Sequence, residues 1–192
     1  MPGQCREFDS VQLEILWTRL ISIVDEGAKA IKRTAFSTLS NEANDFACVL
    51  TDTCGRSLAQ NSGSIPSFIA TLPATVRHFI NDIGIDNIRP KDIFITNDPW
   101  KGTGHLPDVC IVQPIFKDKR LIAFAATTSH VPDIGGRIRA LEAREVYEEG
   151  LQIPLSKLAE QGEINDFLVR MIRANVRTPD QTMGDIWAQV GA

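Results

Sequence analysis

Apolar residues recur every three or four positions from about Asp9 to Arg33. Leu13, Leu16, Leu20, Ile23, Gly27 and Ile31 make one stripe, which predicts a long amphipathic helix. Asp9 followed by Gln12 resembles a capping box, in which the acid accepts an orphan backbone N–H. The period then changes. After the polar stretch STLSNEAND, the runs FACVL and RSLAQ flank TDTCG and predict a β-hairpin with Gly55 in its turn. Residues 61–67 read as loop. A second helix is expected from Pro73 to Ile83, with Pro73 in its first turn and Gly84 as its stop. Its apolar face is Leu72, Val76, Phe79, Ile80 and Ile83.

The middle of the chain alternates like strands: DIFIT (92–96), VCIVQPIF (109–116) and RLIAFAATTS (120–129). Only Lys117, Asp118 and Lys119 separate the last two, so they pair as an antiparallel hairpin. Pro114 puts one of them at or near a sheet edge. From Asp133 to Glu149 the chain reads as charged loop, and helical patterns follow at 164–176 and 179–190. The pattern as a whole predicts an α+β fold: a mixed or antiparallel sheet with a central β-hairpin, packed by several helices. The last helix is still running at Ala192. Its stripe of Met183, Ile186, Trp187 and Val190 is expected to stand half-exposed and to support a homo-oligomer or capture by a partner.

Composition narrows the function classes. With 192 residues the chain can bury one real core, and 43% hydrophobic with 23% charged residues is ordinary for a globular protein. A net charge of −4 offers no basic face for nucleic acid. No apolar run reaches the roughly 20 residues of a membrane helix, and MPGQCREFDS is no signal peptide. A cytoplasmic protein is expected. Cys5, Cys48, Cys54 and Cys110 form no CxxC pair, and Cys48 and Cys110 sit in apolar runs as small core hydrophobes.

Three polar clusters interrupt this background: NEANDF (41–46), NDPWKGTGHLPD (97–108) and SHVPDIGGR (129–137). A two-residue turn in the central hairpin sets Asp108 opposite Ser129, and a three-residue connection sets it opposite His130. Opposed Cβ atoms lie roughly 4.5–5.5 Å apart. His105 sits three residues before Asp108, in a loop loosened by Gly102 and Gly104. His105, Asp108 and His130 therefore converge, and two imidazoles with one carboxylate suit Mn, Fe or Zn with open positions for a reactant. The competing reading, histidines that merely satisfy loop hydrogen bonds, stands level on the residues alone. Arg137, Arg139 and Arg144 could hold an anion, but the glutamates between them favour a solvated loop. Thr103, Ser129 and Cys110 lack the histidine–acid neighbours of a nucleophile. No GxxxxGK[ST] phosphate loop is present.

NDPW-K-GTGHLPDV, SHVPDIGGR, EVYEEGLQIP and NVRTP…GD, in this order, resemble the motif series of the hydantoinase B/5-oxoprolinase family across essentially the whole chain. The resemblance implies ATP-dependent hydrolysis of the C–N bond of a cyclic amide such as hydantoin, N-methylhydantoin or 5-oxoproline. The ATP would be used by a hydantoinase A-type partner subunit. It also implies metal ligation by His105, Asp108 and His130, manganese in the carboxylase-like branch. Glu42, Asp45 and Asp133 fall at other polar family positions, as substrate contacts or, for Asp133, as a partner to the ring of His130. Two alternatives stay open: an acetone carboxylase α-like subunit acting on a ketone, and a non-catalytic remnant or split-gene piece that binds a partner. GTGH stands where most hydantoinase-type members have GGTH, and Lys119 where the family tends to have Gly. Family subunits are far longer, so residues 1–192 correspond to a truncated N-terminal segment.

Overall fold

In a computed structural model, which describes residues 8–137 and 143–192, the first helix, α1, runs Ser10–Thr34. Asp9 caps it, accepting the Gln12 N–H at 2.8 Å. Its buried face is Val24, Ala28 and Ile31, whereas Leu13, Leu16 and Ile23 of the expected stripe are exposed. Among the described residues, every α1 side chain before Leu20 is exposed, and contact with the core begins at Leu20 and Ile21.

A short helix, α2 (Thr38–Asn41), interrupts the polar stretch, with Ser37 as its cap. The hairpin of β1 (Phe46–Thr51) and β2 (Ser57–Gln60) forms as its pattern predicts, and Gly55 has φ +72°. Helix α3 spans Pro66–Ile83, seven residues longer at its start than expected. Pro66 opens the helix, and Pro73 lies inside it. The expectation chose the wrong proline, although Phe68 precedes Leu72 by four and continues the same buried face.

Strands β3 (Ile93–Thr96), β4 (Asp108–Lys117) and β5 (Arg120–His130) follow. A short helix, α4 (Val146–Glu149), lies in the stretch read as loop. The residues beyond it supply β6 (Ser156–Glu160) and β7 (Glu163–Ile164), so Ile164, expected to open a helix, ends a strand, and α5 (Asp166–Asn175) and α6 (Pro179–Val190) close the chain. The sheet is antiparallel throughout, in the order β2-β1-β5-β4-β3-β6-β7. Neither β4 nor β5 is an edge strand. Pro114 is tolerated because β3 pairs only with Cys110–Val112, which leaves that side of Pro114 without a β3 partner.

Alternation along the strands divides the core. Ala47, Val49, Phe94, Cys110, Val112, Phe124 and Ala126 pack under α3. On the opposite face, Ile95, Val109 and Ile111 meet α5 and α6, and Phe46, Cys48 and Leu50 meet α1. Burial pushes the Cys48 and Cys110 thiols up to about 12, so both are inert core residues. Helix α6 does not present the expected patch. Met183 and Ile186 are buried, and Trp187 and Val190 pack on the same core. Polar ties reinforce this seat: Gln113 Nε2 donates to Val190 O at 2.9 Å, and Asp185 Oδ1 accepts the Phe36 and Ser37 N–H groups. No helix among the described residues is long and apolar enough to cross a membrane.

Candidate metal centre

The central hairpin reconciles the two possible turns. Asp118 and Lys119, with φ +49° and +65°, make a two-residue turn in which Lys117 faces Arg120. Ile122 is then an extra residue: Phe116 pairs with Leu121 and Ile115 with Ala123. That single bulge shifts the rest of the register, so Asp108 lies opposite His130.

On the other side of β5, Phe46 pairs with Ser129, and the His130 N–H donates to Asp45 O at 3.0 Å. Asp45, His130 and Asp108 therefore lie abreast at one end of β1, β5 and β4. Pleating turns Asp108 and His130 to the face of Cys110, Val112, Phe124 and Ala126, toward the start of α3. They line a cavity of about 550 Å³ together with Asp45, His105, Thr103, Ile65 and Phe68.

The residues 97–107 bring His105 over this row. Asn97, itself buried, donates to Leu106 O (2.7 Å) and Leu151 O (2.9 Å) and accepts the Ile153 N–H (2.6 Å). Glu149 Oε2 accepts the Leu106 N–H at 2.9 Å. The loop is thus tied at both ends to 149–153. His105 Nε2 lies 2.8 Å and His130 Nδ1 3.0 Å from Asp108 Oδ1, with the ring centroids 5.0 Å apart. Ligand atoms of all three residues fall within 4.8 Å of one another. Asp108 is 2% exposed, while the His105 side chain is 41% exposed, so the group is anchored below and open above.

Electrostatics follow from this packing. Burial alone would raise Asp108, but hydrogen bonds from His105, His130 and Thr103 hold its carboxyl below the usual range. The bond to Asp108 raises His105 above its ordinary range, against the effect of partial burial. Burial raises Asp45, with His130 opposing and Asp108 adding to the shift. A raised histidine stabilises the fold below its unfolded value near 6.5, and this is lost as pH rises through the folded value. A depressed carboxylate stabilises above its unfolded value near 3.8, and this is lost in acid. The metal-free chain is therefore expected to gain most from the pair between those two values. In chelator, Asp108→Asn should lower Tm most in that window and least above neutral pH. A deficit that grows from pH 6 to pH 8 would contradict the pairing.

Other expected site residues are placed differently. Asp133, 3% exposed, receives the Gly135 N–H at 2.9 Å and Arg177 Nη1 at 3.0 Å, and also the Arg177 N–H. It fastens the turn after β5 to the α5–α6 connection and makes no bond to His130. Glu42 is exposed at the end of α2 and does not line the cavity. Arg137 turns toward Glu148, 3.8 Å away, and Arg139 lies outside the described residues. Gly135 and Gly136 serve close backbone packing: an added Cβ would sit 2.7 Å from Asn175 O and 2.4 Å from Glu149 C, respectively. Thr103, set aside as a nucleophile, bonds Asp108 directly, and its place between Gly102 and Gly104 beside His105 was the available signal. Ser67 and Phe68 were missed with the true start of α3.

The family model described as Hydantoinase B/oxoprolinase matches residues 9–192. The B-type chain of a putative D-/L-hydantoinase from Pseudomonas sp. (strain NS671) is 30% identical, with 97% of this chain and 33% of that protein covered. The crystal structure of an ATP-dependent caprolactamase from Pseudomonas jessenii superposes with a TM-score of 0.86 at 28% identity, covering 96% of this chain and 32% of the other. A nucleotide-free acetone carboxylase structure has the same TM-score of 0.86 at 24% identity, covering 96% and 25%, a likeness of fold. The chain spans about a third of the length of the curated hydantoinase relative.

Proposed function

This chain belongs to the hydantoinase B/oxoprolinase family, and from that premise we propose that it is the metal-bearing part of a hydantoinase B-type subunit. The subunit acts in ATP-dependent hydrolysis of cyclic amides. The observation that carries the reading is the convergence of His105, Asp108 and His130 at the floor of an open cavity. Nitrogen and oxygen donors without thiolate suit Mn, Fe or Zn. Ligand bonds of about 2.0–2.2 Å put adjacent ligands roughly 3 Å apart, close to the 2.8 and 3.0 Å separations already present. The residues fit such an ion.

A divalent ion held there supplies Lewis acidity toward an amide carbonyl or a water molecule. The chain's own side chains do the rest. Asp45 faces the same cavity, and in this reading it takes the proton from the attacking water, a role suited to a carboxyl raised by burial. Ile65 and Phe68 give the ring methylenes an apolar wall. With no phosphate-cradling loop in the sequence, phosphoryl transfer falls to an ATP-using partner of the hydantoinase A type. The name of the caprolactamase relative, an ATP-dependent enzyme acting on a lactam, supports the hydrolytic reading over the ketone-carboxylating one. Asp133 and Glu42 stand outside the reaction.

The test is ligand relaxation by NMR. With the chain loaded with Mn²⁺, protons of hydantoin, 5-oxoproline or caprolactam should relax faster, and His105→Ala should abolish the effect. Absence of enhancement for every cyclic amide with a loaded wild-type chain would refute the reading.

A further inference from the structure

Asp108 has two oxygens, and the structure treats them differently. Oδ1 faces both imidazoles, at 2.8 Å from His105 Nε2 and 3.0 Å from His130 Nδ1. Oδ2 instead accepts the hydroxyl of Thr103 at 2.8 Å. A hydroxyl carries one proton to donate, and Thr103 gives it to this oxygen. Thr103 lies in the tied segment between Asn97 and Leu106, so the loop that delivers His105 also delivers the hydroxyl that holds Asp108. Gly102 on one side approaches Asp98 O, to which its N–H donates, and Gly104 on the other has φ +111°. The two glycines let a single side chain of this turn point down at Asp108.

From this geometry we infer that Thr103 is a positioning residue: its bond to Asp108 Oδ2 holds the carboxylate with Oδ1 toward both imidazoles and so favours ligation through Oδ1 alone. The inference rests on the metal reading above and extends it to a residue that touches no ion. A free carboxylate at the centre could swing to bind with both oxygens, which would use one more coordination position. With Oδ2 held, the protein contributes two nitrogens and one oxygen and leaves the remaining positions to reactants. The bond also restrains rotation of the carboxylate whose Oδ1 faces both rings, so the three side chains are already gathered before an ion arrives. Outer partners of metal ligands commonly contribute a factor of about 10–100 in affinity.

The experiment compares wild type, Thr103→Val and Thr103→Ser in Mn²⁺ binding by competition titration, with Tm of each chain in chelator measured alongside. Valine keeps the shape and removes the hydroxyl, whereas serine keeps the hydroxyl. Thr103→Val should raise the Mn²⁺ Kd about 10–100-fold, and Thr103→Ser should remain within about threefold of wild type. Electron paramagnetic resonance of the bound Mn²⁺ should change in the valine variant and not in the serine variant. Three results overturn the inference: unchanged affinity in the valine variant, an equal loss in both variants, or a fall in Tm with affinity intact, which marks a purely structural hydroxyl. A wild-type chain that binds no divalent ion at all overturns the metal reading itself, a distinct outcome.

Discussion

The wild-type chain, purified without chelator, is expected to carry close to one divalent ion, and His130→Ala to carry almost none. In the proposed reading His130 is one of three ligands, beside His105 and Asp108. Asp45 lines the same cavity, where its proposed role is that of proton acceptor rather than ligand. Loss of an outer partner already weakens a metal site about 10–100-fold, so loss of a direct ligand should exceed that. At micromolar protein the bound fraction should fall from near one to below about a tenth. His78→Ala is the control, because His78 lies on α3 and does not line the cavity. Elemental analysis of the three proteins, with circular dichroism to verify folding, decides the matter. A His130→Ala chain that keeps its ion removes His130 from the site.

The convergence of His105, Asp108 and His130 was largely legible in the sequence, because it depends on a register that short-range rules nearly determine. The KDK turn limited Asp108 to facing Ser129 or His130, and the bulge at Ile122 makes the choice. That bulge has no strong sequence signature, since Ile122 is an ordinary strand residue that here stands 45% exposed. The fold class was legible for the same reason, since hairpins and helices each carry their own period. The start of α3 was not, because two prolines both satisfy the rule for a first helical turn and only packing distinguishes them. The exposed half of α1 and the buried seat of α6 show the limit of periodicity. A stripe reports that a face is apolar, not whether another element reaches it. Asp133 was misplaced by nearness in sequence: three residues beyond His130 the chain has already turned toward Arg177. The ties at Asn97 and Glu149 link residues more than 40 positions apart in sequence, which no local pattern reports.

Gly150→Ala is expected to be among the most damaging single substitutions outside the centre, although Gly150 is remote from the ligands in sequence. Its backbone has φ +134° and ψ −148°, a region essentially reserved for glycine. An added Cβ would lie 2.3 Å from Ile134 O and 2.9 Å from Ile134 C. Both are backbone atoms of the turn after β5, and neither can swing aside as a flexible side chain would. The same contact is held from either side by hydrogen bonds: the Leu151 N–H to Ile134 O at 2.8 Å and the Arg137 N–H to Glu148 O at 2.9 Å. Alanine must therefore either adopt a strained conformation, at about 1–3 kcal/mol, or push the two segments apart and lose those bonds at about 1 kcal/mol each. By either route a cost of about 2–3 kcal/mol is a large share of a typical stability of about 5–15 kcal/mol, and corresponds to a fall in Tm of about 5–10 °C for a chain of this size. Gly63→Ala is the matched control: its φ is +74°, and nothing lies within 4 Å of the added Cβ. It should cost about 1–2 kcal/mol, the left-handed penalty alone. Glu149 precedes Gly150 and accepts the Leu106 N–H, so displacing this segment also loosens the loop that carries His105. Thermal unfolding and Mn²⁺ titration should therefore worsen together in Gly150→Ala and stay separate in Gly63→Ala. A Gly150→Ala chain that melts within about 2 °C of wild type would show that the two backbones are not packed as described.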